Sequence, residues 1–428
     1  MKYIVLISVI FLSLSVFSCR ENINERNGVL YWSSNNTDEI TYARFIVEKW
    51  NRDNPGKQVR FQPVPEGQSS EEVILAAVVG GTTPDVYSNM WQGDVEYYAR
   101  AGKLVALDTL EGFMDFLNAR CDSAVIKEVT SRDGHIYQIP WKINPIMMIY
   151  NKKMLAKTGL KSPPRTYTEF LKMAGIIQKA SLVGGRVTKW AGYAEVQVTW
   201  WQRWFDYYPL YLSASGGAKL VNADTAVFDN KYSVSTFAFL QKIFKNNYFP
   251  TDRLSSGQDP FLSGMIATRF TGPWEIVHAE KFKPEGFEYD FAPMPVPDDH
   301  SGPQYTYGDT KNLVIFKTCK NPLTAWYFLR EFCRLENEAV FLKITNQLPR
   351  RKDLTSDPLF SNYFAANPLM IPFAKQARYV IGPDNSPVLK EVFDVISAEY
   401  EQCVVYSKKS PASAVKDAAH SANLVLMQ

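Results

Sequence analysis

The sequence predicts an α/β protein made of two lobes, and three observations lead to this fold class. The chain has 428 residues, more than one ordinary hydrophobic core accommodates. Its content of 46% hydrophobic and 21% charged residues is typical of a folded globular protein. Strand-like and helix-like segments alternate along much of the chain, which indicates largely parallel sheets covered by helices.

The first part of the chain shows this alternation most clearly. The predicted elements are, in order, a strand at "VLYWSS" (29–34), a helix within 35–56 that stops at Asn54-Pro55-Gly56, a strand over 57–65, a helix that begins at Ser69 or Ser70, and a strand at Asp85–Ser88.

The remaining elements follow the same pattern. They are a strand, a crossing segment, a strand and a helix within 134–160, a helix over 165–180 capped by Thr166 or Thr168, a tryptophan-rich helical stretch over 198–217, a helix over 233–250, a strand over 311–317, and a helix over 321–335 with Pro322 near its first position. Three prolines and two glycines make 294–310 a connector between lobes.

The N-terminus predicts export. An early lysine, an apolar stretch from Ile4 to Leu14, and small and apolar residues up to Cys19 form the layout of a secretory signal. Val16–Cys19 resembles a bacterial lipobox, so we predict a signal peptide over 1–18, a lipidated Cys19 and a tether that ends at residue 28. The alternative is an uncleaved anchor helix, since the segment is barely long enough to span a bilayer. Both alternatives place the rest of the chain outside the cytoplasm, attached to a membrane.

The charge is close to neutral. The formal net charge is +3, and removal of 1–18 takes away one lysine, which leaves 46 basic against 44 acidic residues, or +2. No dense basic run is present, so the sequence does not predict a nucleic-acid partner.

Cysteine usage predicts neither a metal site nor a defined set of disulfides. Four cysteines follow Cys19 without the CxxC spacing of zinc sites, and they are Cys121, Cys319, Cys333 and Cys403. They allow three complete pairings, among which the sequence does not choose. We expect at least some of them to be buried and unpaired, and we predict no metal and no cofactor.

Signatures of enzymes are missing from the sequence. It has no G-x-S-x-G elbow, no phosphate-binding G-x-x-x-x-G-K-[ST] loop, no G-x-G-x-x-G and no H-E-x-x-H, and its four histidines lie far apart. The acidic pair Asp298-Asp299 lies in the connector, where a solvated turn is the simpler interpretation. An exported carbohydrate-active enzyme remains an alternative, because glycoside cleavage needs two carboxylates that no local motif reveals.

Large side chains follow several predicted strands. In open α/β sheets ligands bind at the carboxyl ends of strands, and a flat amphipathic ring suits the apolar face of a sugar. The side chains at such positions are Trp32, Met90, Trp91, Trp141 and Trp274, while Trp200 and Trp201 open the tryptophan-rich helical stretch. Trp50 and Trp326 lie inside amphipathic helices instead, and we assign them to the core. The strand-end tryptophans predict a sugar-binding cleft.

Six segments in order resemble one family, the extracellular solute-binding proteins of ABC importers, in particular the sugar- and oligosaccharide-binding group that includes maltose-binding protein. The resemblance covers nearly all of the chain after the signal. The segments are "GGTTPDVYS", "PWKINPIMMIYNKKMLAKTGLKSPPRTYTEFLKMA", "FLSGMIATRFTGPW", "YDFAPMPVP", "GDTKNLVIFKTCKNPLTAWYFLREF" and "NQLPRRKD".

The resemblance implies a two-lobed, type II-like periplasmic-binding-protein fold. Two α/β lobes are joined by hinge crossings, the ligand lies in the cleft between them, and closure around it prepares the protein to dock on a membrane permease. It divides the chain into an N-terminal lobe, 29–143 plus 305–345, and a C-terminal lobe, 144–304 plus 346–428. We expect a monomer whose partners are a carbohydrate, the ABC permease subunits and, through the lipid, the membrane.

The resemblance also implies roles for single residues. Trp274 matches the aromatic residue that stacks on a sugar ring, and Asn144 lies where maltose-binding protein has a glutamate that binds hydroxyls. The acid that the family often places after "PDVYS" is missing, because Gln92 follows Trp91 there, which argues against maltodextrin as the ligand. The predicted ligand-binding set is Trp32, Ser33, Met90, Trp91, Trp141, Asn144, Trp201, Trp274, Tyr307, Asp309 and Arg350.

These observations predict a lipid-anchored protein that captures a carbohydrate and passes it to an ABC importer. Besides the enzyme alternative, a solute other than a sugar stays open. An amine would need several acids in the cleft, and an anion would need cations or helix N-termini there.

Overall fold

The computed structural model describes residues 28–65, 69–196, 199–252, 254 and 257–427. The predicted signal peptide, Cys19 and the tether up to residue 27 lie outside the described residues. Within the described ranges, no helix has both the length and the apolar character that crossing a bilayer requires.

Strands and helices alternate through both lobes, as the sequence predicts. The strands are β1 Val29–Ser33, β2 Val59–Pro63, β3 Val86–Trp91, β4 Ile139–Ile143, β5 Met147–Asn151, β6 Leu182–Val183, β7 Arg186–Val187, β8 Trp190–Gly192, β9 Val221–Asn222, β10 Thr225–Ala226, β11 Ile266–Thr271, β12 Tyr289–Ala292, β13 Thr306–Tyr307, β14 Lys311–Ile315, β15 Leu348–Pro349 and β16 Val380–Ile381.

The α-helices are α1 Thr37–Asp53, α2 Ser70–Gly80, α3 Gln92–Arg100, α4 Phe113–Arg120, α5 Ser123–Val129, α6 Lys152–Ala156, α7 Tyr167–Ala180, α8 Tyr207–Ser215, α9 Lys231–Lys245, α10 Trp274–Phe282, α11 Pro322–Phe332, α12 Leu335–Thr345, α13 Pro358–Ala366, α14 Ile371–Gln376, α15 Leu389–Tyr400 and α16 Pro411–Leu426. Short 3₁₀ turns lie at Leu107–Thr109, Trp200–Trp204, Pro368–Met370 and Ala377–Tyr379, and a π turn lies at Glu401–Val405.

Capping side chains and a proline mark where three of the helices begin. Ser69 caps α2 by accepting a hydrogen bond from the backbone N–H of Glu72, and Thr166 caps α7 in the same way, which decides between the alternatives left by the sequence. Pro322 occupies the first turn of α11, where its missing N–H costs nothing.

A six-stranded sheet forms the N-terminal lobe, in the order β15-β4-β14-β3-β1-β2. β1 pairs in parallel with β2 and β3, whereas β14 is antiparallel to β3 and β4. Trp50 and Trp326 are buried in the core on one face of this sheet, which confirms the prediction for both.

The C-terminal lobe contains a four-stranded sheet in the order β12-β5-β11-β8. The expectation of largely parallel strands is wrong for both sheets. In the N-terminal sheet β14 and β15 make three antiparallel pairings against two parallel ones. In the C-terminal sheet β5 pairs antiparallel with both β11 and β12, and β8 pairs in parallel with β11. The reason is the chain path: β5 runs away from the crossing between the lobes, and β11 and β12 run back towards it. Helices α7, α8, α9, α15 and α16 pack their apolar side chains into the core of this lobe.

Two crossing segments lie side by side between the lobes. One joins β4 to β5 through Asn144 and Ile146, and the other joins β13 to β14 through Asp309. The backbone N–H of Asp309 donates to the backbone carbonyl of Asn144 at 3.0 Å, and the backbone N–H of Ile146 donates to the backbone carbonyl of Tyr307 at 2.8 Å.

Two of the expected lobe boundaries differ from the structure by a few residues. β13 pairs with β16, and its Tyr307 is buried in the core of the C-terminal lobe, so the second crossing follows residue 307 and not residue 305. β15 pairs with β4, so the sheet of the N-terminal lobe continues to Pro349, beyond the expected end at 345.

The cysteines after the tether are all buried and unpaired, which confirms the expectation that at least some would be. They are Cys121, Cys319, Cys333 and Cys403. The fold described here is therefore held by its cores and hydrogen bonds without a covalent crosslink among these four.

Candidate functional site

A buried polar network lies beside the first crossing, at the end of β4. Lys142 forms an ion pair with Glu39, a residue in the first turn of α1. Glu39 also accepts hydrogen bonds from the hydroxyl of Ser34 and the amide of Gln347, both at 2.7 Å. The amide of Asn144 donates to Oε1 of Gln347 at 3.0 Å, and Oδ1 of Asn144 is buried without a partner. The predicted residue Asn144 thus belongs to a network that offers one acceptor.

The charge of Glu39 is held in place by its neighbours. Burial acts to raise the pKa of this carboxyl, but the Lys142 ammonium and the hydrogen bonds outweigh burial and keep the pKa below its usual range. The N-terminal end of α1 adds favourable partial positive charge. Glu39 is therefore a fixed anion that orients Lys142 and Gln347.

A second ion pair lies at the start of β14. Lys311 pairs in the sheet with Trp91 on one side and Lys142 on the other, so the three side chains come from one row across the sheet. Its Nζ lies 2.9 Å from Glu71 in the first turn of α2 and 3.9 Å from the predicted residue Asp309. Lys311 lowers the pKa of Glu71 to about 2. Each lysine of this row is therefore matched by a carboxylate.

Trp274 begins α10, and its ring folds back on the turn before it. A Cβ placed on Gly272 would lie 2.2 Å from the ring, so this position requires glycine. The ring is partly buried, and its centroid lies 6.2 Å from that of Phe205 in an edge-on arrangement. The Thr-Gly-Pro turn thus holds a partly exposed indole in a fixed orientation, close in sequence to β11, whose end pairs with the start of β5 beside the crossing.

Trp91 is almost fully buried, with 3% of its surface exposed. Its Nε1–H donates to the hydroxyl of Tyr307 at 3.0 Å, and that hydroxyl donates to Asp309 at 3.3 Å. The ring packs against Trp200 and Trp204 of the other lobe. Trp91, Tyr307 and Asp309 lie together in a contact between the lobes.

Two predicted residues belong to the interior of the N-terminal lobe. Trp141 is 1% exposed and packs against Phe332 and Phe341, and Met90 is 1% exposed in the core on the opposite face of the sheet. These surroundings do not fit the ligand-binding role that their strand-end positions predict. Both side chains are therefore buried by their own lobe.

The remaining predicted residues differ in exposure. The hydroxyl of Ser33 donates to the carbonyl of Ser34, and the Trp32 indole is partly buried with its N–H lacking a partner. Trp201 is 46% exposed. Arg350 is predicted at the rim or surface, but it is only 5% exposed and forms an ion pair with Glu128 at 2.7 Å.

A cavity of about 540 Å³ lies between the lobes next to Arg350. Its lining includes Asp122, Val125 and Glu128 of the N-terminal lobe and Lys219, Tyr305 and Asp384 of the C-terminal lobe. Arg350 is the one predicted site residue in this lining. The polar network at Asn144 therefore lies outside this cavity.

Among the described residues, one group of three side chains brings metal-binding atoms together, namely Asp259, Glu275 and His278. Arg269 already bridges both carboxylates, at 2.9 Å from Asp259 and 2.6 Å from Glu275. Because Arg269 already pairs with both carboxyl groups, we assign this group a structural role.

The sequence did not point to four charged residues, Glu39, Glu71, Lys142 and Lys311, or to the neutral amide of Gln347. One available signal was Lys142, a single charge inside the apolar segment "IPWKINP", because a buried lysine requires a carboxylate partner.

The family model described as bacterial extracellular solute-binding protein matches residues 46–370. A relative from Pyrococcus abyssi, named a maltotriose-binding protein, is 22% identical over 90% of this chain and 80% of its own length. A maltodextrin-binding protein from Bacillus subtilis is 26% identical over 51% of this chain and 50% of its own length.

Solved structures show the same fold. An uncharacterized protein from Listeria monocytogenes aligns with a TM-score of 0.81 and 25% identity over 94% of this chain and all of its own. The sugar-binding protein MalE from Xanthomonas citri aligns with a TM-score of 0.76 and 18% identity over 94% of this chain and 97% of its own. The chain has the two-lobed fold of these proteins, and it belongs to the bacterial extracellular solute-binding protein family.

Proposed function

We propose that this protein is a lipid-anchored, extracytoplasmic component of an ABC importer that binds a carbohydrate between its lobes and delivers it to the permease. The observation that carries the proposal is the network at the crossing, with charges paired internally and one buried acceptor, Oδ1 of Asn144, left without a partner. A buried acceptor without a hydrogen bond costs free energy, and a ligand hydroxyl would supply the bond.

The pairing of charges favours a neutral solute. Glu39 is matched by Lys142, and Glu71 by Lys311, so neither lysine is left over for an anion and neither glutamate for an amine. A neutral polyhydroxyl ligand can use the acceptor at Asn144 and stack on the indole of Trp274. The relatives named for maltotriose and maltodextrin support the same ligand class.

The same charges argue against glycoside hydrolysis. That reaction needs one carboxyl group with a raised pKa as general acid. Both carboxyl groups of the network, Glu39 and Glu71, have pKa values below their usual range because a lysine faces each of them. Neither Glu39 nor Glu71 therefore fits the role of general acid, which favours binding over turnover at this network.

A thermal-shift screen tests the proposal. The panel contains neutral mono- and oligosaccharides, with uronic acids, amino sugars and polyamines as charged comparisons. We expect stabilisation by a neutral sugar and no new reducing ends after prolonged incubation with glycans. Stabilisation by charged solutes alone, or release of reducing ends, would contradict the proposal.

A further inference from the structure

Trp91 crosses from one lobe into the other. It is the last residue of β3 in the N-terminal sheet, but its side chain is buried in the core cluster of the C-terminal lobe. Its ring centroid lies 5.1 Å from that of Trp200 and 5.0 Å from that of Trp204. The rings of Trp200 and Trp204 are thus in contact with a side chain of the protein itself.

Lys390 adds a charged contact to the same place. It lies at the start of α15 in the C-terminal lobe, and its Nζ is 5.7 Å from the ring centroid of Trp91 and 5.1 Å from that of Trp200. The same Nζ lies 2.7 Å from Oδ1 of Asp94, in the first turn of α3. One ammonium group therefore contacts an aromatic ring of each lobe and a carboxylate of the N-terminal lobe.

The backbone of α3 is adapted to this position of the ring. A Cβ on Gly93 would lie 2.3 Å from the Trp91 ring, so only glycine allows the indole to lie against the first turn of the helix. The ring is therefore held by its own helix as well as by the opposite lobe.

We propose that Trp91, Asp94 and Lys390 form a latch that draws the two lobes together independently of the solute. Every group in the latch belongs to the chain, so its contacts contribute to closure whether or not a sugar is bound. A second contact between the lobes is made by Arg132, which pairs with Asp224 and donates to the carbonyls of Ala223 and Asn385. The side chains of this ion pair are 33% and 65% exposed. The latch pair is less exposed, at 31% for Lys390 and 10% for Asp94.

The latch has a consequence for recognition. A ring that stacked on Trp200 or Trp204 from the side of the N-terminal lobe would have to displace Trp91. We therefore assign Trp91 to closure of the lobes and not to stacking on the solute.

Small-angle X-ray scattering and hydrogen exchange, both in the absence of sugar, test the latch. The variants are Trp91→Ala, Lys390→Met and the milder Asp94→Asn. Lys409→Met is the matched control, because Lys409 is similarly exposed and pairs with Glu399 and Asp417 of its own lobe. We expect a larger radius of gyration and about tenfold faster exchange over 91–98 and 200–208 in the three latch variants.

The control should match the unmodified protein in both measurements. The latch is refuted if Lys390→Met and Asp94→Asn have the same radius of gyration and exchange rates as the unmodified protein. It is also refuted if the unmodified protein already scatters as an open molecule. Because no sugar is present, a failure of the carbohydrate proposal leaves this result unchanged, and the reverse also holds.

Discussion

The amide of Asn144 donates to Oε1 of Gln347 at 3.0 Å, and this bond leaves Oδ1 of Asn144 as a buried acceptor without a partner. Gln347 in turn donates to Glu39, so the orientation of the Asn144 side chain is fixed by a chain of hydrogen bonds that ends in a charged group. A side chain oriented in this way can bind a ligand hydroxyl with little further loss of conformational freedom.

Asn144→Ala should therefore weaken binding of the sugar found in the screen by about tenfold, since it removes the acceptor. Isothermal titration calorimetry measures the change. Asn246→Ala, at the exposed end of α9, is the control and should bind as the unmodified protein does. Equal affinities in both variants would remove Asn144 from the site.

Trp274→Ala should reduce affinity for the same sugar at least tenfold, about 1.4 kcal/mol, because the stacking surface is lost. Titration followed by intrinsic tryptophan fluorescence gives the dissociation constant. Phe282→Ala, an exposed aromatic residue at the other end of α10, controls for effects on the helix. If only the control loses affinity, Trp274 is not the stacking residue.

Trp141→Ala should act on stability, because the ring fills the core between β4 and the helices α11 and α12. We expect the free energy of unfolding to fall by about 3–5 kcal/mol. Trp201→Ala, at a residue that is 46% exposed, should change it by less than about 0.5 kcal/mol. Urea denaturation followed by circular dichroism compares the two, and similar losses would contradict the placement of Trp141.

Glu71→Gln should change the response to acid. The folded pKa of Glu71 is about 2 against an ordinary value of 4.5, so its contribution to stability is present above pH 4.5 and is lost as the pH falls towards 2. The shift corresponds to at most about 3 kcal/mol. Urea denaturation from pH 7 to pH 3 should show a smaller acid loss in Glu71→Gln than in the unmodified protein. Parallel curves for the two proteins would mean that the ion pair with Lys311 contributes nothing.

Cys19→Ala should release the protein from the membrane, because the predicted lipid would no longer be attached. Fractionation of cells and metabolic labelling with a fatty acid measure this. The unmodified protein should carry label and sediment with membranes. A labelled Cys19→Ala variant would place the lipid elsewhere, and membrane retention without label would favour the anchor helix.

The order of strands and helices could be predicted because periodicity and caps are local properties of the chain. The roles of the strand-end tryptophans could not, because they depend on what covers each strand. Trp91 and Trp141 both follow apolar strand residues. Helices α11 and α12 cover Trp141, whereas the side chain of Trp91 is buried in the core of the C-terminal lobe.

The charged network could not be predicted from the sequence for a different reason. Lys142 and Glu39 are 103 residues apart, and Gln347 is 308 residues from Glu39, so no spacing in the sequence connects them. Only the pairing of β4 with β14 and β15, and the packing of α1 against the same end of the sheet, brings them together.

The burial of the four cysteines makes this protein suitable for site-specific labelling. Burial raises the pKa of Cys403 to about 11 and that of Cys319 to about 12, so at neutral pH these thiols are scarcely ionised. Cys121 and Cys333 are shifted in the same direction. A maleimide dye should thus prefer a cysteine engineered on the surface. Pairs of dyes on opposite lobes would then report opening and closing of the lobes in real time without removal of these four thiols.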